Sequence, residues 1–169
     1  MKLLVVRHAI AENREDYAEG DDAARPLTPD GRKKMQRGAE GLKEIVPEID
    51  RLISSSLKRA IETAEIIAQV YGDLKVQRVP ELAPGTPLDG VFKWLAELPE
   101  RGTVAVVGHE PDLSSMVCAL LAGGHEPFFE FRKGGACFLE FAGAVAPGTA
   151  RLEWLLEPKQ LRRIGADRG

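Results

Sequence analysis

The chain is poor in the residues that mark several protein classes. Of its 169 residues only Cys118 and Cys137 are cysteine. Both lie in apolar runs without the spacing that metal ligands need, so they read as reduced packing thiols rather than part of a Cys–His metal centre. No hydrophobic run is long enough to cross a bilayer. The first residues enter a strand-like segment with no signal-peptide core, so a cytoplasmic location is expected. Charge of one sign is also lacking: 23 Lys and Arg against 26 Asp and Glu leave a net charge of −3 and a pI of about 5.7. Without a global basic field, neither nucleic acid nor an anionic membrane is an expected partner, and any anion site must be assembled locally. No internal repeat, low-complexity tract or linker divides the sequence. A composition of 44% hydrophobic and 29% charged residues suits one globular domain spanning residues 1–169.

Lys2 to Arg7 is a short apolar run of the kind found in a buried parallel strand. A polar stretch from Glu12 to Arg25 follows, and its acidic part, Glu12 to Asp22, reads as a solvated loop, with a mobile loop near a site mouth that selects partners by charge as the alternative. Thr28 and Pro29 then provide an N-cap and a first helical residue whose missing N–H costs nothing. Met35, Ala39, Leu42 and Ile45/Val46 recur at helical spacing until Pro47 stops the run. Arg51 to Ser54 reads as a strand, Leu57 to Val70 as a helix ended by Gly72, and Lys75 to Val79 as a third strand. After the Pro/Gly-rich loop 80–87, Leu88 to Leu98 reads as a helix and Thr103 to Val107 as the clearest strand. Pro111 opens a helix running to Gly123-Gly124. Ala136–Phe141 and Ala150–Leu156 read as strands, and the basic segment Lys159–Arg163 as a short solvated terminus. The alternation predicts an α/β domain with a largely parallel sheet.

In such sheets ligands gather beyond the carboxyl ends of the strands. Arg7-His8, Ser54 to Arg59 and Gly108-His109 each follow a predicted strand, so three polar clusters fall on one rim. A phosphoryl group carries negative charge on its peripheral oxygens throughout transfer and needs fixed positive charge and N–H donors around it. Arg7 and Arg59 supply planar, permanently charged forks, and His109 adds a donor if protonated. A neutral His8 with one ring N–H held by an acceptor, expected to be a backbone carbonyl, would aim its other lone pair at phosphorus. Taken singly, each residue reads as a solvated polar group at a strand end. Arg59 has a further structural reading, as a partner of Glu62 or Glu65. His125, without a motif around it, reads as a loop residue.

Three segments together resemble the histidine phosphatase, or phosphoglycerate mutase-like, superfamily. Arg7-His8-Ala9 is similar to its Arg-His-Gly signature. Ser55 to Ala64 matches its Ser-x-Leu-x-Arg-Ala-x-x-Thr-Ala pattern, and Val106-Val107-Gly108-His109 its third motif. The resemblance implies a three-layer α/β sandwich, a phosphorylated His8, a phosphate pocket of Arg7, Arg59 and His109, and no metal or organic cofactor. Ala9 departs from the usual glycine, which is tolerable only at an ordinary φ. Asn13 falls roughly where many members carry a phosphate-contacting asparagine.

Only 49 residues lie between Arg59 and His109, too few for a large helical cap insert. An uncapped, open site suits a phosphorylated side chain on a protein surface better than a small metabolite buried on all sides. The compact members resembling this chain are SixA-type phosphohistidine phosphatases, which share the segment Arg25-Pro26-Leu27-Thr28-Pro29-Asp30-Gly31. Arg25 would stand at the pocket mouth, either contacting phosphate or bonding a loop carbonyl. Glu81, after the third strand, stands where the family often supplies an acid and general base. The expected substrate partner is a phosphohistidine-bearing protein, with a small phosphorylated metabolite as the alternative. A phosphate or phosphoprotein recognition module is the non-enzyme alternative. Nothing in the sequence specifies an oligomeric state.

Overall fold

In a computed structural model that describes residues 1–17, 21–124 and 126–166, the apolar run at the N-terminus is the central strand β1 (Lys2–Arg7), with Leu3 to Val6 fully buried. Along the chain follow α1 (Pro29–Ile45), β2 (Arg51–Ser54), α2 (Lys58–Val70), β3 (Val76–Arg78) and α3 (Leu88–Ala96). The remainder is β4 (Thr103–Gly108), α4 (Asp112–Ala122), β5 (Ala136–Phe141), β6 (Ala150–Leu156) and α5 (Pro158–Ala166). The sheet order is β3-β2-β4-β1-β5-β6. The first four strands are mutually parallel, whereas β5 runs antiparallel to both β1 and β6. The sheet is therefore mixed. A parallel pair needs a crossover of about a dozen residues or more, and the connection 142–149 is too short for one.

Period-two alternation divides β1 between two cores. Leu4 and Val6 join Met35, Ala39 and Leu42 of α1, Ala64 and Ile67 of α2 and Leu161 of α5. Leu3 and Val5 join Val91 and Leu95 of α3 and Leu113, Met116 and Val117 of α4. Helices thus cover both faces, giving the three layers expected. Helix α1 starts as anticipated: Thr28 Oγ1 accepts from Gly31 N at 2.8 Å, with Pro29 at the first position. Both cysteines are buried and unpaired.

The basic tail is the main departure from expectation. Lys159–Arg163 is no solvated terminus but lies within α5, which buries Leu161 completely. Close approach of α5 to α1 depends on Gly41 and Gly165. A Cβ on Gly41 would lie 2.0 Å from Leu161 O, and one on Gly165 2.6 Å from Arg37 O. A single buried leucine among polar neighbours leaves little periodic signal. No helix among the described residues is long and apolar enough to cross a membrane.

Candidate active site

The strand order, with β4 between β2 and β1, converts separated sequence segments into neighbours. Arg7 lies opposite Gly108, and Ser54 opposite Val107. The ladders continue past the strand ends through His8 N to Gly108 O at 3.1 Å and Ser55 N to Val107 O at 3.0 Å. Residues 8, 55 and 109 consequently leave the sheet side by side. The His8 and His109 ring centroids are 5.1 Å apart.

His8 is almost fully buried. Its Nδ1 lies 2.7 Å from Ala9 O, and a carbonyl only accepts, so Nδ1 carries a proton. Burial, reinforced by Arg59, Arg7 and Lys133 and opposed by the Ala9 bond, pushes the His8 pKa down to about 3. At neutral pH the ring is neutral and Nε2 keeps a free lone pair. Ala9 itself is buried. Among described non-glycine residues only Asp73 has positive φ, so the methyl beside His8 sits on ordinary backbone. Ala9 N donates to Thr63 Oγ1 at 3.0 Å, and Thr63 in turn donates to Arg59 O at 2.7 Å.

His109 differs from the sequence expectation of a protonated donor. Burial, followed by His8 and Arg59, brings its pKa to about 3 as well, so the ring is neutral. Its Nε2 lies 2.6 Å from Ser55 Oγ, which already accepts from Leu57 N at 3.2 Å. Among the described residues Ser55 Oγ has no other acceptor for its own proton, which therefore goes to Nε2 and leaves the imidazole proton on Nδ1. His109 is thus a neutral donor through Nδ1.

Arg7 donates through Nη1 to Phe131 O, and Phe131 N is held by Glu110 Oε1 at 2.8 Å. Arg59 does not pair with Glu62 or Glu65. Glu62 instead contacts Arg32 and accepts from Leu27 N. Arg59 turns to Asp22, bonding its backbone oxygen through Nη1 at 2.9 Å and its carboxylate through Nη2 at 3.0 Å. Arg25 joins the same carboxylate at 3.0 Å and donates to Glu12 O at 2.8 Å. Arg25 therefore bonds a loop carbonyl and also stands one carboxylate away from Arg59. Asp22 belongs to no simple solvated loop. Arg59 and Arg25 outweigh its partial desolvation and hold its carboxyl below the usual range.

Among the described residues, three buried side-chain polar atoms have no hydrogen-bond partner: Arg7 Nε, Arg59 Nε and His109 Nδ1. Buried donors are ordinarily satisfied, and leaving one unmade costs about 1–3 kcal/mol. Three unmade donors on the residues surrounding a neutral histidine form a set suited to an oxoanion. Glu81 is half-buried on a short turn after β3 and lines a small apolar recess shared with His109. Asn13 is exposed before the turn Arg14–Asp16, with no side-chain bond to the cluster. His125 lies outside the described residues.

Sequence reasoning missed Asp22 and Glu110, which no local pattern distinguishes from other acidic residues. Ser55 and Thr63 were visible within the second motif, but their hydrogen-bonding partners were not.

A profile of the histidine phosphatase superfamily (branch 1) matches residues 3–83. An uncharacterized protein of Picosynechococcus sp. is 33% identical over 146 residues, covering 85% of this chain and 87% of its own length. Phosphohistidine phosphatase SixA of Escherichia coli is 26% identical over 169 residues, covering 98% and 99%. Among solved structures, the protein histidine phosphatase SixA complexed with tungstate superposes with a TM-score of 0.79 at 26% identity, covering 95% of this chain and 99% of that one. A phosphoserine phosphatase from Entamoeba histolytica shares the fold with a TM-score of 0.71 at 18% identity, covering 95% and 98%.

Proposed function

Because this chain belongs to the histidine phosphatase superfamily, we propose that it is a metal-independent phosphatase acting on phosphohistidine in proteins through a phospho-His8 intermediate. The single observation carrying this reading is the set of partnerless donors on Arg7, Arg59 and His109 around the neutral His8 ring. They offer N–H groups to phosphoryl oxygens while His8 retains the lone pair that attack requires. Similarity to SixA supports the substrate class.

His8 Nε2 attacks phosphorus, forming a P–N bond as the P–N bond to the substrate imidazole breaks. Arg7, Arg59 and His109 Nδ1–H hold the peripheral oxygens throughout, and Arg25 adds charge at the mouth. The departing imidazole takes a proton from solvent or Glu81. Water then attacks phospho-His8, with Glu81 accepting a water proton, and inorganic phosphate and free His8 are released. A nitrogen leaving group departs readily once protonated, which fits an acid as loosely held as Glu81. Asn13 is assigned a weak phosphate contact at most. The site is read as uncapped and open to a protein surface, and the protein as cytoplasmic.

The test is phosphate release, with EDTA present, from a phosphohistidine-bearing domain and a panel of phosphomonoesters. Turnover restricted to phosphohistidine and abolished in His8→Ala is expected. Arg59→Ala should retain activity reduced by about 10²–10³-fold. Comparable rates on sugar phosphates would favour a small-molecule phosphomonoesterase, and unchanged turnover in His8→Ala would refute the covalent mechanism. Phosphate binding without turnover would indicate a recognition module.

A further inference from the structure

We propose that a cationic cavity beside the nucleophile loop is a second anion subsite, which takes a carboxylate carried by the substrate close to its phosphoryl group. This rests on the phosphatase reading above but assigns residues which that reading leaves unused. The cavity holds about 170 Å³ between α1, α5 and the turn before β5, and is lined by Ala9, Lys34, Met35, Gly38, Lys133 and Arg162. Ala9 follows His8 directly, and Gly134, which also lines the cavity, is bonded to the Arg7 and His8 carbonyls, so the cavity lies against the nucleophile loop. At roughly 30 Å³ per water, this space accommodates a carboxylate with a few waters.

Its cations differ in their partners. Lys34 is paired with Asp30 at 2.6 Å. Lys133 and Arg162 have no ion pair or side-chain hydrogen bond among the described residues. Partial burial, and after it the fields of Arg7, Arg25 and Arg59, lower the Lys133 pKa, and among the described residues no carboxylate acts on Lys133 itself. Asp22 already joins Arg25 and Arg59, whereas Lys133 has no acidic partner of its own among the described residues, so an anion bound beside it would relieve its repulsion from the arginines.

The turn that carries Lys133 is fixed to the nucleophile. Gly134 N donates to Arg7 O at 3.2 Å and to His8 O at 3.1 Å, while Arg7 N donates to Gly135 O at 3.0 Å. Lys133 is therefore held in register with His8. Room is left by glycine: a Cβ on Gly38 would have no atom within 4 Å, so α1 presents an open face there. The chemistry selected is a phosphorylated group with a neighbouring carboxylate, from an acidic side chain on a phosphoprotein or from a small carboxylated phosphate ester.

Calorimetric titration of His8→Ala with phosphoglycolate and ethyl phosphate isolates the carboxylate, since the two probes share the phosphate and similar length. Phosphoglycolate should bind about tenfold more tightly, the scale of one charge-assisted contact. The ratio should fall toward one when Lys133→Gln or Arg162→Gln is added, and persist with Lys133→Arg. Gly38→Leu, which fills the cavity and keeps every cation, should also abolish it. In the unmodified enzyme, phosphohistidine peptides with Glu or Gln beside the phosphorylated residue test the protein source. A Glu preference lost in Lys133→Gln supports an acidic protein partner, whereas selectivity confined to phosphoglycolate supports a small-molecule carboxylate. Equal affinity for both probes together with no Glu preference overturns the subsite, as does selectivity that survives Lys133→Gln and Gly38→Leu. Intact selectivity with no turnover of any phosphorylated substrate would overturn the phosphatase reading and leave the subsite standing.

Discussion

Thr63→Val should damage both stability and catalysis, although Thr63 is placed in no contact with substrate. A continuous chain runs from His8 Nδ1–H to Ala9 O, from Ala9 N–H to Thr63 Oγ1 at 3.0 Å, and from Thr63 O–H to Arg59 O at 2.7 Å. It ties the proposed nucleophile to the helical turn carrying Arg59, the proposed phosphate ligand. Thr63 is completely buried, so no water replaces its hydroxyl when valine of nearly the same shape is substituted. Arg59 O keeps an acceptor role within α2, whereas the Ala9 N–H loses its acceptor outright. One unmade buried donor costs about 1–3 kcal/mol. For a chain of this size that lowers Tm by about 2–12 °C, at 2–4 °C per kcal/mol. Release of Ala9 also loosens the carbonyl that orients His8, and misplacement near 1 Å costs on the order of 10²-fold. We therefore expect kcat to fall by about 10–100-fold. Thr63→Ser keeps the acceptor and loses only a methyl group, so it should retain most of kcat. Thermal unfolding by circular dichroism and phosphate-release kinetics on the two variants provide the check. A valine variant as stable and active as the parent, or a serine variant as impaired as valine, would refute the chain as a positioning device.

Asp22→Asn should tighten inorganic phosphate as a competitive inhibitor by roughly threefold, because it removes a negative charge from Arg59 and Arg25 while keeping an acceptor oxygen. The gain should shrink with added salt, and weaker binding would contradict it. Both site histidines have pKa values lowered from 6.5 to about 3 in the fold. The unfolded chain therefore binds more protons between those values. Their stability contribution is fully present above about pH 6.5 and is lost progressively as pH falls toward 3. Urea unfolding at pH 7.5 and 5 should show a smaller stability loss in His109→Gln than in the parent, and equal losses would count against buried neutral rings. Gly41→Ala should destabilise by about 1–3 kcal/mol through overpacking, since its methyl would meet Leu161 O on α5. A denaturation midpoint equal to the parent's would show that α5 is not closely docked there.

Much of the architecture was legible from local pattern. Thr28, Pro29 and the spacing of Met35, Ala39 and Leu42 specify α1, and the apolar runs of β1 and β4 mark strands buried on both faces. Alternation of strands with helices supported the layered fold, and strand-end placement of Arg7, His8, Arg59 and His109 supported one shared rim. Those are properties of neighbouring residues, so sequence carries them. The bonds from Arg59 to Asp22, the neutrality of His109 and the capture of α5 by α1 are not local. Each depends on which distant groups share a small volume and how far water is removed from it. The sequence by itself determined which residues are candidates for the chemistry and which strand ends they follow. Tertiary structure decided their protonation, their partners and the adjoining cationic cavity, because burial and close approach set the energies of charges and donors.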